Sequence, residues 1–139
     1  LYFGTEIYKS YSCKIIEKTK YIKEQISKIE SFKVVGNPTV NVVAFYSEVY
    51  PVGQIIDYVS KKGWNLNILQ NPMCVHICIT PKNIDVLDEL LYTLEKLTKE
   101  KVSNKFDNIA SIYGLSASIP DKSIIDEIIC EYLDMTTNI

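Results

Sequence analysis

The 139 residues predict an α+β fold in two layers: a mainly antiparallel sheet of about four strands with helices on one face, preceded by a long helix. Three observations lead there. Apolar residues make up 47% and charged residues 23% of the chain, a globular composition in a chain long enough to bury a core. Short apolar runs come in pairs across tight turns, which is how antiparallel neighbours are joined. The segments before, between and after those pairs carry apolar residues at helical spacing.

Thr5 to Glu30 reads as one helix. Tyr8, Tyr11, Ile15, Ile22, Ile26 and Ile29 recur at spacings of three, four or seven, and no Gly or Pro interrupts them. Its length is ~39 Å at about 1.5 Å per residue, which suits a helix that bridges units or covers the outside of one. Phe32 to Val35 is a short strand, and Gly36-Asn37-Pro38 is turn chemistry. Val40 to Tyr46 is apolar on both sides over Val42 to Phe45, as a central strand would be. Pro51 opens the next helix and Gly63 follows its end, with Val52, Ile55, Ile56 and Val59 on the buried face.

Leu66 to Leu69 and Cys74 to Thr80 form a hairpin across Asn71-Pro72. Thr80-Pro81 caps a third helix with a stripe of Leu87, Leu90, Leu91, Leu94 and Leu97. Its acids lie early and its lysines late, in accord with the helix dipole. Val102 to Ala117 reads as an irregular loop. A last helix begins near Pro120 and turns Ile124, Ile125, Ile128, Ile129 and Tyr132 to the core.

Charge excludes some functions. The net charge is −2 and the pI near 5.4, so no basic surplus exists to release counterions from a nucleic acid. All 15 basic residues are lysine, and a bidentate guanidinium clamp cannot come from this chain. The four cysteines, Cys13, Cys74, Cys78 and Cys130, show no C-x-x-C pair and read as free thiols of a reducing compartment. No apolar run approaches the length of a membrane span, and no signal peptide is visible.

Few residues invite chemistry. Cys74, His76 and Cys78 alternate along one strand and share a face, yet a tetrahedral metal would need a fourth ligand from Cys130, Cys13 or a carboxylate. The neighbouring Cys and His lack the aimed geometry of a nucleophile and its base. No metal site and no catalytic residue is therefore assigned. Asn65 and Asn67 share a face beside Gln70; their amides would either position a polar ligand or satisfy strand ends. Tyr113, in the irregular Ile112-Tyr113-Gly114, is either a loop contact residue or a packing residue. Asn65, Asn67 and Tyr113 are the substrate-proximal candidates. Gly-rich phosphate cradles are absent from the sequence.

The stretch Lys62 to Thr80, KGWNLNILQNPMCVHICIT, resembles the small-domain hairpin of sphingosine-1-phosphate lyases. The residues that carry the likeness are Gly63, Trp64, Asn65, Leu66, Asn67, Leu69, Gln70, Pro72, His76, Cys78, Ile79 and Thr80. Upstream, Val35 to Pro38 resembles the family's Gly-Asn-Pro hairpin, and Phe3-Gly4 with Ile15-Ile16 fits its long helix. Downstream, Ala110, Ile112, Tyr113, Gly114, Asp121 and Tyr132-Leu133-Asp134 continue the match, with Tyr132 in place of a Phe.

The resemblance implies a fold-type-I, pyridoxal-phosphate-dependent enzyme of the group II decarboxylase kind. Residues 1–30 would be the helix leading from a large cofactor-binding domain, and residues 31–139 the C-terminal small domain. It implies a homodimeric parent that cleaves a phosphorylated sphingoid base to a fatty aldehyde and phosphoethanolamine. That parent would work at the cytosolic side of the endoplasmic reticulum in a eukaryote, with any membrane anchor in an N-terminal segment. The family anchors the cofactor on a Lys that follows a His. Here the single His76 is followed by Ile77, so the resemblance implies no cofactor-binding residue in this chain and no activity for it alone. Two alternatives remain open at this point: the small domain of another pyridoxal-phosphate decarboxylase, and a free-standing α+β ligand-binding or regulatory module. A free-standing module should bury the apolar strip of the first helix, whereas a piece of a larger enzyme should leave it exposed.

Overall fold

The structure is a computed structural model that describes residues 4–100 and 123–137. Its elements in order are α1 (Gly4–Lys28), β1 (Lys33–Val34), β2 (Val42–Tyr46), α2 (Val52–Ser60), β3 (Asn67–Leu69), β4 (Cys74–Cys78), α3 (Leu87–Lys99) and α4 (Ser123–Thr137). The four strands form one antiparallel sheet in the order β1-β2-β4-β3. β2 and β4 are its centre, as the apolar run of β2 predicts. This is the expected α+β arrangement.

Alternation along the central strands decides which face is packed. Val43 and Phe45 on β2, and Val75 and Ile77 on β4, are buried in a core shared with Ile22 and Ile26 of α1, Ile55 and Val59 of α2, and the leucine stripe of α3. Helices α1, α2 and α3 thus cover one face of the sheet. Phe45 is fully buried and meets the ring of Phe32 edge-on, with centroids 5.7 Å apart, a favoured aromatic geometry.

Local chemistry explains the helix ends. Beyond α2, Gly63 takes φ +87°, a conformation that costs glycine little. Its N–H donates to the Ser60 carbonyl at 2.9 Å, and that of Trp64 to the Val59 carbonyl at 3.1 Å. This pair of bonds is a Schellman motif, and it satisfies carbonyls the helix would leave open. Trp64 then packs, half-buried, against the core. Gly36, with φ +65°, turns the chain between β1 and β2.

Helix α3 starts later than Thr80-Pro81 suggests. Asn83 is the reason: its Oδ1 accepts from the Thr80 N–H at 2.8 Å, and its Nδ2 donates to the Cys78 carbonyl at 2.9 Å. Those bonds hold residues 81–86 in turns, and the helix begins only at Leu87. Asn and Asp compete with helix in this way through local side-chain bonds.

Helix α4 forms as expected, but its described apolar side chains lie outside the core. Ile128 is 61% and Tyr132 65% exposed, and Ile129 is exposed too. A stripe of helical period shows that a helix has an apolar face; it does not show what covers that face. The side chains of Ile124 and Ile125, and the loop expected over Val102 to Ala117, lie outside the described residues.

Candidate functional site

The second face of the sheet carries the unusual residues. Asn67 of β3 stands opposite His76 of β4, which stands opposite Ala44 of β2, so one row crosses three strands. Cys74, His76 and Cys78 alternate with the core residues Val75 and Ile77 and therefore point away from the helices. Cys74 is nevertheless only 1% exposed, and burial pushes its thiol pKa up. It is a packed, protonated thiol at neutral pH. Cys78 is exposed. His76 is half-buried, and its Nδ1 is shielded from solvent with no hydrogen-bond partner among the described residues.

Cys74, His76 and Cys78 are successive outward positions of one strand. Among the described residues no three His, Cys, Asp or Glu side chains gather closely enough to hold a metal. Asn65 and Asn67 are both exposed on either side of buried Leu66. Only Asn67 enters the ladder beside His76; Asn65 precedes β3. Tyr113 lies outside the described residues.

The long helix carries a feature that residue types alone do not reveal. Ile22 and Ile26 anchor the second half of α1 in the core, while the first half leaves Ile7, Tyr8 (59%) and Tyr11 exposed. With Ile15, Ser12 and Pro81 these residues line an apolar groove of about 380 Å³. The periodicity of the stripe marks all its residues alike; only packing separates the buried half from the exposed half.

Beside the groove, a polar cleft of about 630 Å³ separates α1 from residues 81–88. Lys18 Nζ donates to Asp88 Oδ2 at 3.0 Å and lies 4.5 Å from the ring centroid of Tyr21. The bond from Lys18 holds the Asp88 carboxyl below the usual range. Tyr21 also hydrogen-bonds Asp88, and that bond raises its phenol pKa. The Lys18–Asp88 ion pair thus ties α1 to α3 across the cleft.

Three described lysines are engaged by neighbouring groups. Lys18, Lys23 and Lys33 bond to Asp88, Asn37 and Glu48, and Glu48 pushes the Lys33 ammonium pKa up. A lysine that forms a Schiff base instead works as a free amine in a pocket that lowers its pKa. Two outward features of the described residues are the groove on α1 and the Asn67–His76 row. Among the described residues no helix is long and apolar enough to cross a membrane.

Comparison with known proteins gives this geometry a context. No family model matches the chain. The sphingosine-1-phosphate lyase of Arabidopsis thaliana is 33% identical over 134 residues, which cover 94% of this chain and 25% of that protein. The lyase of the same name from Dictyostelium discoideum is 33% identical over 124 residues, covering 86% and 23%. This chain thus spans about a quarter of the length of the curated relatives it matches. Among solved structures, a sphingosine-1-phosphate lyase of Burkholderia pseudomallei superposes over 98% of this chain and 27% of that one, with a TM-score of 0.70 and 20% identity. An Oryza sativa enzyme solved with PLP and tryptamine matches 70% of this chain and 24% of that one, with a TM-score of 0.53 and 10% identity. At such identities the structural likeness shows the fold.

Proposed function

Because the chain is homologous over most of its length to sphingosine-1-phosphate lyases, we propose that it is the C-terminal small domain of such a lyase. Residues 1–30 are then the helix that leads in from a large domain, and residues 31–139 the small domain. The observation that carries the reading is the match itself: nearly all of this chain against one quarter of each relative, with the small-domain hairpin Gly63 to Thr80 inside it. The exposed first half of α1 supports it, since a free-standing module should bury that strip. The parent acts on a phosphorylated sphingoid base and releases a fatty aldehyde and phosphoethanolamine, as a homodimer.

Pyridoxal phosphate would supply the electron sink for breaking the carbon–carbon bond. In this reading the chain supplies no anchor for that cofactor. No His-Lys pair occurs in the sequence, and Lys18, Lys23 and Lys33 are engaged elsewhere. The cofactor anchor belongs to the remainder of the parent, and this chain contributes contact surface. Asn65, Asn67 and Tyr113 are its candidates for facing the substrate, with Asn67 best supported because it is exposed beside His76.

Aldehyde release from a phosphorylated long-chain base tests the reading. The 139-residue chain alone should release none, and the same chain extended upstream through a His-Lys pair should release it. Release by the chain alone, or an upstream region with no such pair, would overturn the assignment. In the extended protein, Asn67→Ala should lower kcat/KM; an unchanged value would remove Asn67 from the site.

A further inference from the structure

We propose that α1 and residues 81–88 together form a binding site for a single-chain lipid with a zwitterionic head, its chain in the apolar groove and its head in the polar cleft. The inference goes beyond the lyase reading and does not rest on it.

The groove and the cleft are one continuous surface, because Tyr11 and Pro81 line both. On one side of them Ile7 and Ile15 make the groove apolar. On the other, Lys14, Lys18, Asp85 and Asp88 line the cleft. The groove encloses about 380 Å³ and the cleft about 630 Å³, each within the roughly 300–1,000 Å³ of small-molecule sites. Helical geometry sets the two regions side by side. Ile7, Tyr11 and Ile15 follow one another at a spacing of four, as do Lys14 and Lys18, so each set forms a row along α1. A hydrocarbon chain laid along the first row brings its head to the second.

Charge selects the occupant. Lys18 and Asp88 engage each other at 3.0 Å. Lys14 on α1 and Asp85 on the facing wall of the cleft form no ion pair with each other or with another described residue. A head with a phosphate for Lys14 and an ammonium for Asp85 answers both charges at once. Glu17, also in the cleft, adds attraction for the ammonium end. An apolar protein surface laid on the groove would leave Lys14 and Asp85 unanswered, and a singly charged amphiphile would answer only one of them.

Calorimetric titration of the 139-residue chain tests this, with each probe kept below its micelle concentration. Octylphosphocholine carries the chain and both charges, phosphocholine lacks the chain, and octyl glucoside lacks the charges. Octylphosphocholine should bind saturably at one site. Phosphocholine should not bind, and octyl glucoside should bind about threefold to tenfold more weakly, as expected from two partly exposed charge pairs. Lengthening the chain from eight to ten carbons should tighten binding by about tenfold. Two variants at exposed positions separate the charges. Lys14→Gln should weaken octylphosphocholine and octyl phosphate but not octyltrimethylammonium. Asp85→Asn should weaken octylphosphocholine and octyltrimethylammonium but not octyl phosphate. Damage to the fold cannot produce that crossed pattern. Equal binding of octyl glucoside and octylphosphocholine, or variants that affect both singly charged probes alike, would overturn the proposal. So would the absence of saturable octylphosphocholine binding, which would leave the groove to a protein surface.

Discussion

The substitution Ile26→Ala, set against Ile16→Ala on the same helix, tests how α1 joins the body of the protein. Both changes remove the same three carbons and have the same effect on helix propensity, so their difference isolates burial. Ile26 is fully buried in the core, while Ile16 is 37% exposed. Three buried carbons at about 0.8 kcal/mol each give roughly 2.4 kcal/mol of transfer free energy. The cavity left behind brings the expected loss at Ile26 into the range of about 2–5 kcal/mol. Ile16→Ala should stay within about 1 kcal/mol, near the surface range. A domain of this kind holds on the order of 5–15 kcal/mol in all, so the first variant should be visibly weakened. Urea unfolding at a concentration where the chain is monomeric reads both, as a shift in midpoint at constant slope. Equal losses at the two positions, or a loss below about 1 kcal/mol at Ile26, would refute the division of α1 into an anchored and an exposed half.

Other consequences are open to measurement. The Tyr58 phenol is pushed up to about 12, first by burial and then by its bond to Glu100 at 2.8 Å. An acid whose folded pKa exceeds its unfolded value of 10.0 holds its proton longer in the native state. Its contribution is complete below pH 10 and is lost as pH rises toward about 12. Tyr58→Phe should flatten that part of the stability profile, and an unchanged profile would contradict the assignment. For the cysteines, a thiol reagent should modify exposed Cys13 and Cys78 at once and buried Cys74 only on unfolding. Equally fast reaction at Cys74 in the native protein would show that the sheet's second face is open there.

Much of the fold is legible in the sequence because its signals are local. The leucines at 87, 90, 91, 94 and 97 point to a buried face, and all five are buried. The glycine at 63 marks the end of α2 because only a terminus of that geometry asks for positive φ there. What is not legible depends on distant partners. Tyr8 and Ile22 share one stripe, yet one is exposed and the other buried, since packing reaches only half of α1. Tyr132 and Leu94 show the same helical period with opposite fates. The late start of α3 turns on a single amide, Asn83, whose competing bonds outweigh the capping promise of Thr80-Pro81.

The candidate site divides in the same way. Alternation alone places His76 between Cys74 and Cys78 on one face, and the structure keeps them there. That Asn67 is the neighbour of His76 follows from the register of β3 against β4, which no local pattern states. Lys62 to Thr80 identifies the homology, while its Trp64 serves the helix end and the core.

One measurement bears most directly on the central claim, that this chain is the small domain of a lyase whose cofactor anchor lies elsewhere. The chain extended upstream would be mixed with pyridoxal phosphate, reduced with borohydride, digested, and searched by mass spectrometry for the modified lysine. The account predicts one specific adduct, outside residues 1–139, on a lysine that follows a histidine. A specific adduct on any lysine within residues 1–139 would contradict it.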